Sequence, residues 1–257
     1  MKQDDSTWRE YNVHISEDVE DQPTDLFASS NADDAYETIQ YDTDDNTTIT
    51  IRSETDYDKS TGMSVWKGSE VMCTYLRQHA DVINDKKVLE LGAGCGLCGL
   101  VCRMALQAKS VLITDGDHQV LRNLRYNVVE LNGLQLADAT TSSPPTTDAT
   151  ISCPQLIWGK NHAIDFEKQY GKQDVIIATD CVYVTQSVYP LFETINELLD
   201  GRGLFLFVNT CASTCPMEDV FNMAKELGFV SSDNELWYHD DDREKKKHPV
   251  HVFRRRI

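Results

Sequence analysis

The segment Val88-Leu89-Glu90-Leu91-Gly92-Ala93-Gly94-Cys95-Gly96-Leu97-Cys98-Gly99 decides the fold. An apolar strand runs into closely spaced glycines, and an apolar stretch with helical spacing follows over 97–108. Glycine is needed where the backbone adopts a positive φ or where a ligand approaches main-chain atoms closely. In open α/β sheets, ligands bind beyond the carboxyl ends of the strands. The segment therefore predicts a strand–turn–helix unit that holds a ligand.

Strands and helices alternate along the chain around this segment. The apolar spacing predicts helices over 69–83, 97–108, 118–132, 186–199 and 216–227. It predicts strands over 47–54, 86–92, 110–114, 155–158, 174–180, 203–210, 235–239 and 250–256. The Ser/Thr/Pro-rich stretch 136–154 is expected to be a surface loop. This order favours an α/β fold, a mainly parallel sheet with helices on both faces.

The acidic residues are concentrated at the N-terminus. The net charge is −18, and residues 1–60 carry 17 Asp and Glu against 4 Lys and Arg. We expect residues 1–45 to be a solvated, disordered tail and residues 46–257 to form the domain. The alternative is a tail that attracts a basic protein or peptide. We expect no nucleic-acid partner, because such binders present a basic face.

The composition also bears on the cellular setting. No apolar run in the sequence reaches the ~18–20 residues that span a bilayer, and the first residues do not resemble a secretory signal. The chain has eight cysteines, several of them in apolar segments. We therefore expect a monomer without a membrane partner, located in the cytoplasm and also in the nucleus, where thiols stay reduced.

Two cofactors compete for the glycine turn. Gly94, Gly96 and Gly99 match G-x-G-x-x-G, and Asp115 lies 19 residues after Gly96, which resembles a dinucleotide fingerprint. In the other frame Glu90 stands two residues before a G-x-G-x-G, a pattern typical of S-adenosylmethionine-dependent methyltransferases. A dinucleotide brings a pyrophosphate that favours helix N-terminal amides, whereas S-adenosylmethionine is cationic. Glu90 suits its methionine end, directly or through water, and Asp115 suits its ribose hydroxyls.

Two further interpretations of the turn compete less well. A tight turn without a ligand would leave both carboxylates without a purpose. Cys95, Cys98 and Cys102 have a spacing that suggests an iron–sulfur cluster. However, Cys98 and Cys102 lie one turn apart on an apolar helix, where thiols behave as small hydrophobic groups, so we expect no metal site.

Four segments, in order, resemble methyltransferase family 16, a seven-β-strand group rich in protein-lysine methyltransferases. They are Thr61-Gly62-Met63-Ser64-Val65-Trp66, Glu90-Leu91-Gly92-Ala93-Gly94-Cys95-Gly96, Leu156-Ile157-Trp158-Gly159 and Ala178-Thr179-Asp180-Cys181-Val182-Tyr183. The resemblance covers residues 60–257 and implies a Rossmann-like class I methyltransferase fold. It also implies a seven-stranded sheet of order 3-2-1-4-5-7-6 with the last strand antiparallel.

The resemblance implies roles for individual residues. The S-adenosylmethionine site would be lined by Trp66, Gly92, Ala93, Gly94, Asp115, Trp158 and Thr179. Asp180 and Tyr183 would be the catalytic pair that faces the methyl-accepting amine. Each role has a structural alternative: the two tryptophans as core residues, Asp180 as a cap for the helix after strand four, and Tyr183 as a packing residue. Asp117 competes with Asp115 for the ribose.

The function implied is methyl transfer from S-adenosylmethionine to a lysine side chain of a protein substrate. One alternative is a methyltransferase acting on a small molecule or another side chain. Another is an inactive adaptor with this fold that binds a partner through residues 1–60. An NAD-dependent oxidoreductase fits less well, because the sequence has no Tyr-x-x-x-Lys pair.

Overall fold

A computed structural model describes residues 36–43, 47–54, 61–137, 150–210, 215–238 and 247–256. The strands in these residues are β1 (Tyr36–Asp42), β2 (Thr48–Glu54), β3 (Lys87–Leu91), β4 (Ser110–Thr114), β5 (Thr150–Ser152), β6 (Gln173–Thr179), β7 (Leu199–Val208), β8 (Phe229–Tyr238) and β9 (Lys247–Arg255). The α-helices are α1 (Lys67–Gln78), α2 (Leu97–Met104), α3 (His118–Tyr126), α4 (Lys160–Tyr170), α5 (Val188–Leu198) and α6 (Met217–Glu226).

Seven strands form one sheet in the order β5-β4-β3-β6-β7-β9-β8. Counted from β3 as the first strand, this is the expected order 3-2-1-4-5-7-6. The strands β3, β4, β5, β6 and β7 pair in parallel, and β9 runs antiparallel to both β7 and β8. In the middle of the sheet Leu89 lies opposite Leu112 on one side and Ile176 on the other. The predicted fold class is confirmed.

Helices cover both faces of the sheet. One core contains apolar residues of α1, α2 and α3, and a second contains those of α4, α5 and α6. Successive residues of a strand point to opposite faces, so Val88 belongs to the first core and Leu89 to the second. The turn after β3 therefore opens at the carboxyl edge of a sheet buried on both sides. None of the helices among the described residues is long and apolar enough to cross a membrane.

The third core strand differs from the prediction. The structure places it at Thr150–Ser152, inside the predicted loop, whereas 155–158 forms only a single bridge from Gln155 to Asp115. Cys153-Pro154 separates the two segments, and proline lacks the N–H that a strand ladder requires. The bridge keeps the parallel register of β5 with β4, so the pairing resumes briefly at Gln155, at the carboxyl end of β4.

A helix and a strand were not predicted. In α4, Ala163 and Phe166 are buried and Tyr170 packs against the same core, a spacing that was a usable helical signal. The strand β1 lies within residues 1–45, so the expectation of little fixed structure is wrong for residues 36–42. It pairs antiparallel with β2, where Ile39 lies opposite Ile51. The remainder of the predicted tail, residues 1–35, lies outside the described residues.

Candidate functional site

A cavity of about 660 Å³ lies at the carboxyl edge of the sheet. Its walls come from four segments that follow strands and from the chain before α1. The lining residues are Gly62, Ser64, Val65, Trp66, Ser69, Gly92, Ala93, Gly94, Cys95, Gly96, Leu97, Asp115, Gly116, Asp117, Val120, Leu156, Ile157, Trp158, Thr179, Asp180, Cys181, Tyr183, Val184 and Ser187. This volume is that of an ordinary small-molecule site. Of the ten predicted site residues, the structure brings nine to this cavity.

The loop from residue 92 to residue 96 requires its glycines. Gly92, Gly94 and Gly96 have φ angles of 60°, 54° and 82°, a conformation that side chains with a Cβ rarely adopt. A Cβ on Gly92 would come within 2.8 Å of the Cys181 Cβ, and one on Gly94 within 3.0 Å of the Gly62 carbonyl oxygen. The loop therefore allows the backbone to form the floor of the cavity.

Three of the five amides of this loop have partners within the protein. The Ala93 N–H donates to the Thr114 carbonyl at 2.9 Å, and the Gly96 N–H donates to the Ala93 carbonyl at 2.9 Å. The Gly94 N–H donates to Oδ2 of Asp115 at 3.1 Å. These three groups are therefore not presented to a phosphate.

Glu90 occupies a different place from the one predicted. It does not line the cavity: its side chain is 1% exposed, and Oε2 accepts a hydrogen bond from the Gly99 N–H in α2 at 2.7 Å. The alternation of β3 explains this, because Glu90 faces the same side as Val88, beneath α2. Burial raises the pKa of Glu90 from 4.5 to about 7. Direct contact between Glu90 and a cofactor is therefore a wrong prediction, and its carboxyl group supports the start of α2 instead.

Two carboxylates follow β4, and they have different tasks. Oδ1 of Asp117 accepts the Gln119 and Val120 N–H groups at 2.6 and 3.2 Å, so it caps α3. Asp115 faces the cavity, where it accepts the Gly94 N–H, and burial raises the pKa of its carboxyl group. Asp115 is therefore the better placed of the two to accept hydrogen bonds from a ribose.

Trp66, Trp158 and Thr179 all line the cavity. Trp66 directly precedes α1, and Trp158 lies three residues after the Asp115–Gln155 bridge. The Cζ2 atom of Trp158 would be only 3.1 Å from a Cβ on Gly92, so the indole lies against the glycine loop. Both tryptophans thus belong to the cavity wall, although Trp158 also packs on the second core.

Asp180 is held in place by hydrogen bonds on both carboxylate oxygens. Oδ2 accepts the Gly68 N–H at 2.6 Å and the Thr210 hydroxyl at 2.8 Å, while Oδ1 accepts the Thr210 N–H. Asp180 therefore caps α1, not the helix after β6 as the structural alternative supposed. Its φ of 47° is unusual for a residue other than glycine. Strained residues of this kind persist where the surroundings fix them, often at functional sites.

The cavity mouth beside Asp180 exposes apolar side chains. Tyr183 is 54% exposed, so it is not a packing residue, and Val184 and Ile157 are 43% and 40% exposed. All three line the cavity, and Tyr189, in the first turn of α5, is 50% exposed. Sequence reasoning missed Ile157, which lies within the family-like segment 156–159, and Val184, which directly follows the family-like segment 178–183. It also missed Ser64, although this residue lies in the segment 61–66 that resembles the family, and it had no signal for Ser69 or Ser187.

The cysteines near the loop are buried free thiols. Cys98 lies with its Sγ 3.9 Å from Sγ of Cys73, and burial helps to raise the pKa of Cys95, Cys98 and Cys102. No group of three or more His, Cys, Asp or Glu side chains in the described part of the chain is arranged to hold a metal ion.

Comparison with known proteins agrees with this geometry. The protein N-terminal and lysine N-methyltransferase EFM7 of Yarrowia lipolytica is 33% identical over 180 residues, which cover 66% of each chain. The protein N-lysine methyltransferase METTL21A of Danio rerio is 32% identical over 190 residues, covering 74% of this chain and 75% of the relative. Other curated relatives are longer, and the chain spans 40% and 39% of two of them.

The fold also resembles solved structures. TrmN of Thermus thermophilus matches with a TM-score of 0.51 at 15% identity, over 74% of this chain and 50% of TrmN, a likeness that concerns the fold alone. The family model described as lysine methyltransferase matches residues 43–223, which include the hairpin strand β2, the glycine loop and every residue of the cavity. On this match, and on the cavity that these residues build, the chain belongs to the lysine methyltransferase family.

Proposed function

We propose that the chain transfers a methyl group from S-adenosylmethionine to a lysine side chain of a protein. The observation that carries the proposal is a cavity with a glycine floor, two indoles and carboxylates on its walls, and a mouth of exposed apolar side chains. One end suits a cationic nucleoside, and the other suits an amine that arrives on a macromolecule.

The electrostatics of the loop favour S-adenosylmethionine over a dinucleotide. A pyrophosphate binds to free N–H groups at a helix N-terminus. Here the Glu90 carboxyl group already accepts the Gly99 N–H at the start of α2, and three of the five loop amides donate within the protein. Asp115, Asp117 and Asp180 line the cavity, and their charge repels a phosphate and attracts a cation.

Residues of this chain fit the parts of the cofactor. Asp115 would accept hydrogen bonds from the ribose hydroxyls, and the indoles of Trp66 and Trp158 would supply aromatic surface against the nucleoside and the sulfonium. When bound, S-adenosylmethionine supplies a methyl group on a positively charged sulfur. An apolar, aromatic wall favours the transfer, because the positive charge on that sulfur disappears.

The acceptor amine has to be neutral, and a free lysine with a pKa near ~10.4 must first lose a proton. Asp180 is poorly suited to remove that proton, since it already accepts three hydrogen bonds from Gly68 and Thr210. We assign Asp180 two roles: it holds together the acceptor wall, formed by Gly68, Asp180 and Thr210, and it orients the amine. The exposed Tyr183 hydroxyl and water would assist proton loss.

The cavity mouth favours a protein over a small molecule as the acceptor. Among the described residues, four of six exposed large apolar side chains lie at the mouth or in the first turn of α5. Clusters of this kind mark surfaces that another protein covers. Relatives named as protein-lysine methyltransferases support the same acceptor.

The setting of the reaction is part of the proposal. We place it in the cytoplasm, and also in the nucleus, and assign it to a monomer that uses neither nucleic acid nor a membrane. The buried free thiols support a reducing compartment. The net charge of −18 argues against a nucleic-acid partner.

Calorimetry and labelling test the proposal in sequence. The full chain should bind S-adenosylmethionine and not NAD. Incubation of a cell extract with the chain and a tritiated methyl donor should then label a discrete protein band, and hydrolysis should release Nε-methyllysine. If the label is found on an N-terminal amine or on a small molecule, the acceptor is not a lysine side chain. Cofactor binding without any label would favour the inactive adaptor.

A further inference from the structure

The outer edge of β2 is paired by asparagine side chains instead of a strand. The Thr50 N–H donates to Oδ1 of Asn132 at 3.0 Å, and Nδ2 of Asn132 donates back to the Thr50 carbonyl at 2.7 Å. Two residues further along, the Arg52 N–H donates to Oδ1 of Asn127 at 2.9 Å, and Nδ2 of Asn127 donates to the Arg52 carbonyl at 3.4 Å. The two amides thus imitate the hydrogen bonds of a neighbouring strand.

A π-helical turn makes this arrangement possible. Asn132 lies five positions after Asn127, and in an α-helix that spacing turns the second side chain about 140° away from the first. Residues Asn127–Leu131 form a π-helical turn, and Nδ2 of Asn132 donates to the Asn127 carbonyl at 2.7 Å. Turns of this kind occur frequently at functional sites.

One end of this ladder reaches the glycine loop. Nδ2 of Asn127 also donates to the carbonyl of Cys95 at 3.1 Å, and Cys95 stands between Gly94 and Gly96. The Cys95 Sγ lies 3.7 Å from the Arg52 carbonyl oxygen. Asn127 is fully buried, where hydrogen bonds are electrostatically stronger than in water.

The hairpin itself is fixed against α3 by Arg52. Its guanidinium lies between two rings, 4.6 Å from the centroid of Tyr36 and 3.9 Å from that of Tyr126. Its Nε donates to Oδ1 of Asn123 at 2.7 Å. The hairpin β1–β2, α3 and the glycine loop are therefore joined at one place. Asn123 also contacts the hairpin and the loop, through the Arg52 carbonyl at 3.1 Å and the Cys95 Sγ at 4.0 Å, whereas Asn127 donates to the main-chain carbonyl of the loop itself.

We propose that Asn127 is a positioning residue for cofactor binding, which holds the Cys95 carbonyl and thereby the left-handed turns at Gly94 and Gly96. This inference rests on the proposed function, because the cofactor is S-adenosylmethionine. Asn132 belongs to the same ladder but contacts only the hairpin and Asn127. It provides the matched control.

The test compares Asn127→Ala with Asn132→Ala by calorimetry with S-adenosylmethionine. Each variant removes one amide that pairs with β2, so both should lower the melting temperature. Asn127→Ala should raise the Kd at least tenfold, and Asn132→Ala less than threefold. In methyl-transfer assays Asn127→Ala should raise the KM for S-adenosylmethionine and leave kcat within twofold at saturation. A loss of stability alone does not raise the KM for S-adenosylmethionine while leaving kcat at saturation unchanged.

A second variant keeps the test open if Asn127→Ala does not fold. Asn127→Leu has a side chain of the same branched shape, so it leaves no cavity, and it has no donor for the Cys95 carbonyl; it should also weaken cofactor binding tenfold. Equal effects of the 127 and 132 variants on the Kd, or no effect of either, would overturn the positioning role. Absence of binding to the unaltered chain would overturn the proposed function as well, and that titration is made first.

Discussion

The two ends of the cavity are built in contrasting ways. At the cofactor end, backbone turns at three glycines form the surface, while the buried Glu90 accepts the Gly99 amide of α2 and Asp115 accepts the Gly94 amide of the loop. At the acceptor end, exposed side chains such as Tyr183 and Val184 form the surface. The first end has little freedom to change, because each group there is fixed by another. The second can vary with its substrate, and this difference suits a family that uses one cofactor and many proteins.

The largest effect should come from filling the floor of the cofactor end. In Gly94→Val, a Cβ would lie 3.0 Å from the Gly62 carbonyl oxygen, at a φ of 54° that a β-branched residue does not tolerate. The loop would have to shift into the cavity. We expect the Kd for S-adenosylmethionine to rise by about a thousandfold, to the limit of calorimetric detection.

Gly133→Val is the control for backbone strain. Gly133 has a φ of 64°, but nothing lies within 4 Å of the position that a Cβ would take. It should lower stability and leave the Kd within threefold. If Gly94→Val binds the cofactor as the unaltered chain does, the cofactor end is more adaptable than its geometry indicates.

A smaller effect is expected at the acceptor end, and it should fall on turnover. Asp180→Ala leaves the Gly68 N–H and both Thr210 donors without their acceptor, so the acceptor wall moves. A misplacement of the acceptor by about 1 Å can reduce the rate by ~100-fold. Single-turnover assays should show that loss in the rate constant of methyl transfer, while calorimetry should show a change in cofactor Kd of less than threefold.

Thr210→Val separates the contribution of one hydrogen bond from that of the whole Asp180 carboxylate, because it removes only the hydroxyl donor to Asp180. It should lower kcat less than tenfold. If Asp180→Ala raises the cofactor Kd as strongly as it lowers kcat, Asp180 belongs to the cofactor end and the contrast between the two ends does not hold there.

The same contrast explains what the sequence predicts well. Local apolar runs predict the strands β3 and β4. The closely spaced glycines predict the loop after β3, because glycine is the residue that most readily adopts a positive φ. Asp115 follows from its place directly after a strand. The order of the sheet came from a family resemblance, since strand order depends on pairings that no local pattern records.

The remaining errors have physical causes. Asp180 bonds to Gly68 and Thr210, which lie 112 and 30 residues away in the sequence, so its task as a cap of α1 has no local signal. The short strand β5 is set by pairing with β4 and not by its own composition. The position of Glu90 could have been predicted, because the alternation of β3 places it beneath α2. The motif match led instead to a prediction that Glu90 contacts the cofactor.

The smallest effect concerns Glu90, whose task in supporting the cofactor end is indirect. Burial raises its pKa from 4.5 to about 7, so the folded state holds a proton that the unfolded state has released, and stability falls as the pH rises through this window. Between pH 6 and pH 8 the unaltered chain should lose ~1 kcal/mol that Glu90→Gln does not lose, as measured by urea unfolding. The exposed Glu130→Gln is the control and should follow the unaltered chain.

Because Glu90 does not line the cavity, Glu90→Gln should also change the Kd for S-adenosylmethionine less than fivefold. A much larger change in Kd would indicate that Glu90 contacts the cofactor. Indirect support by a buried carboxyl group would then no longer be a feature of the cofactor end.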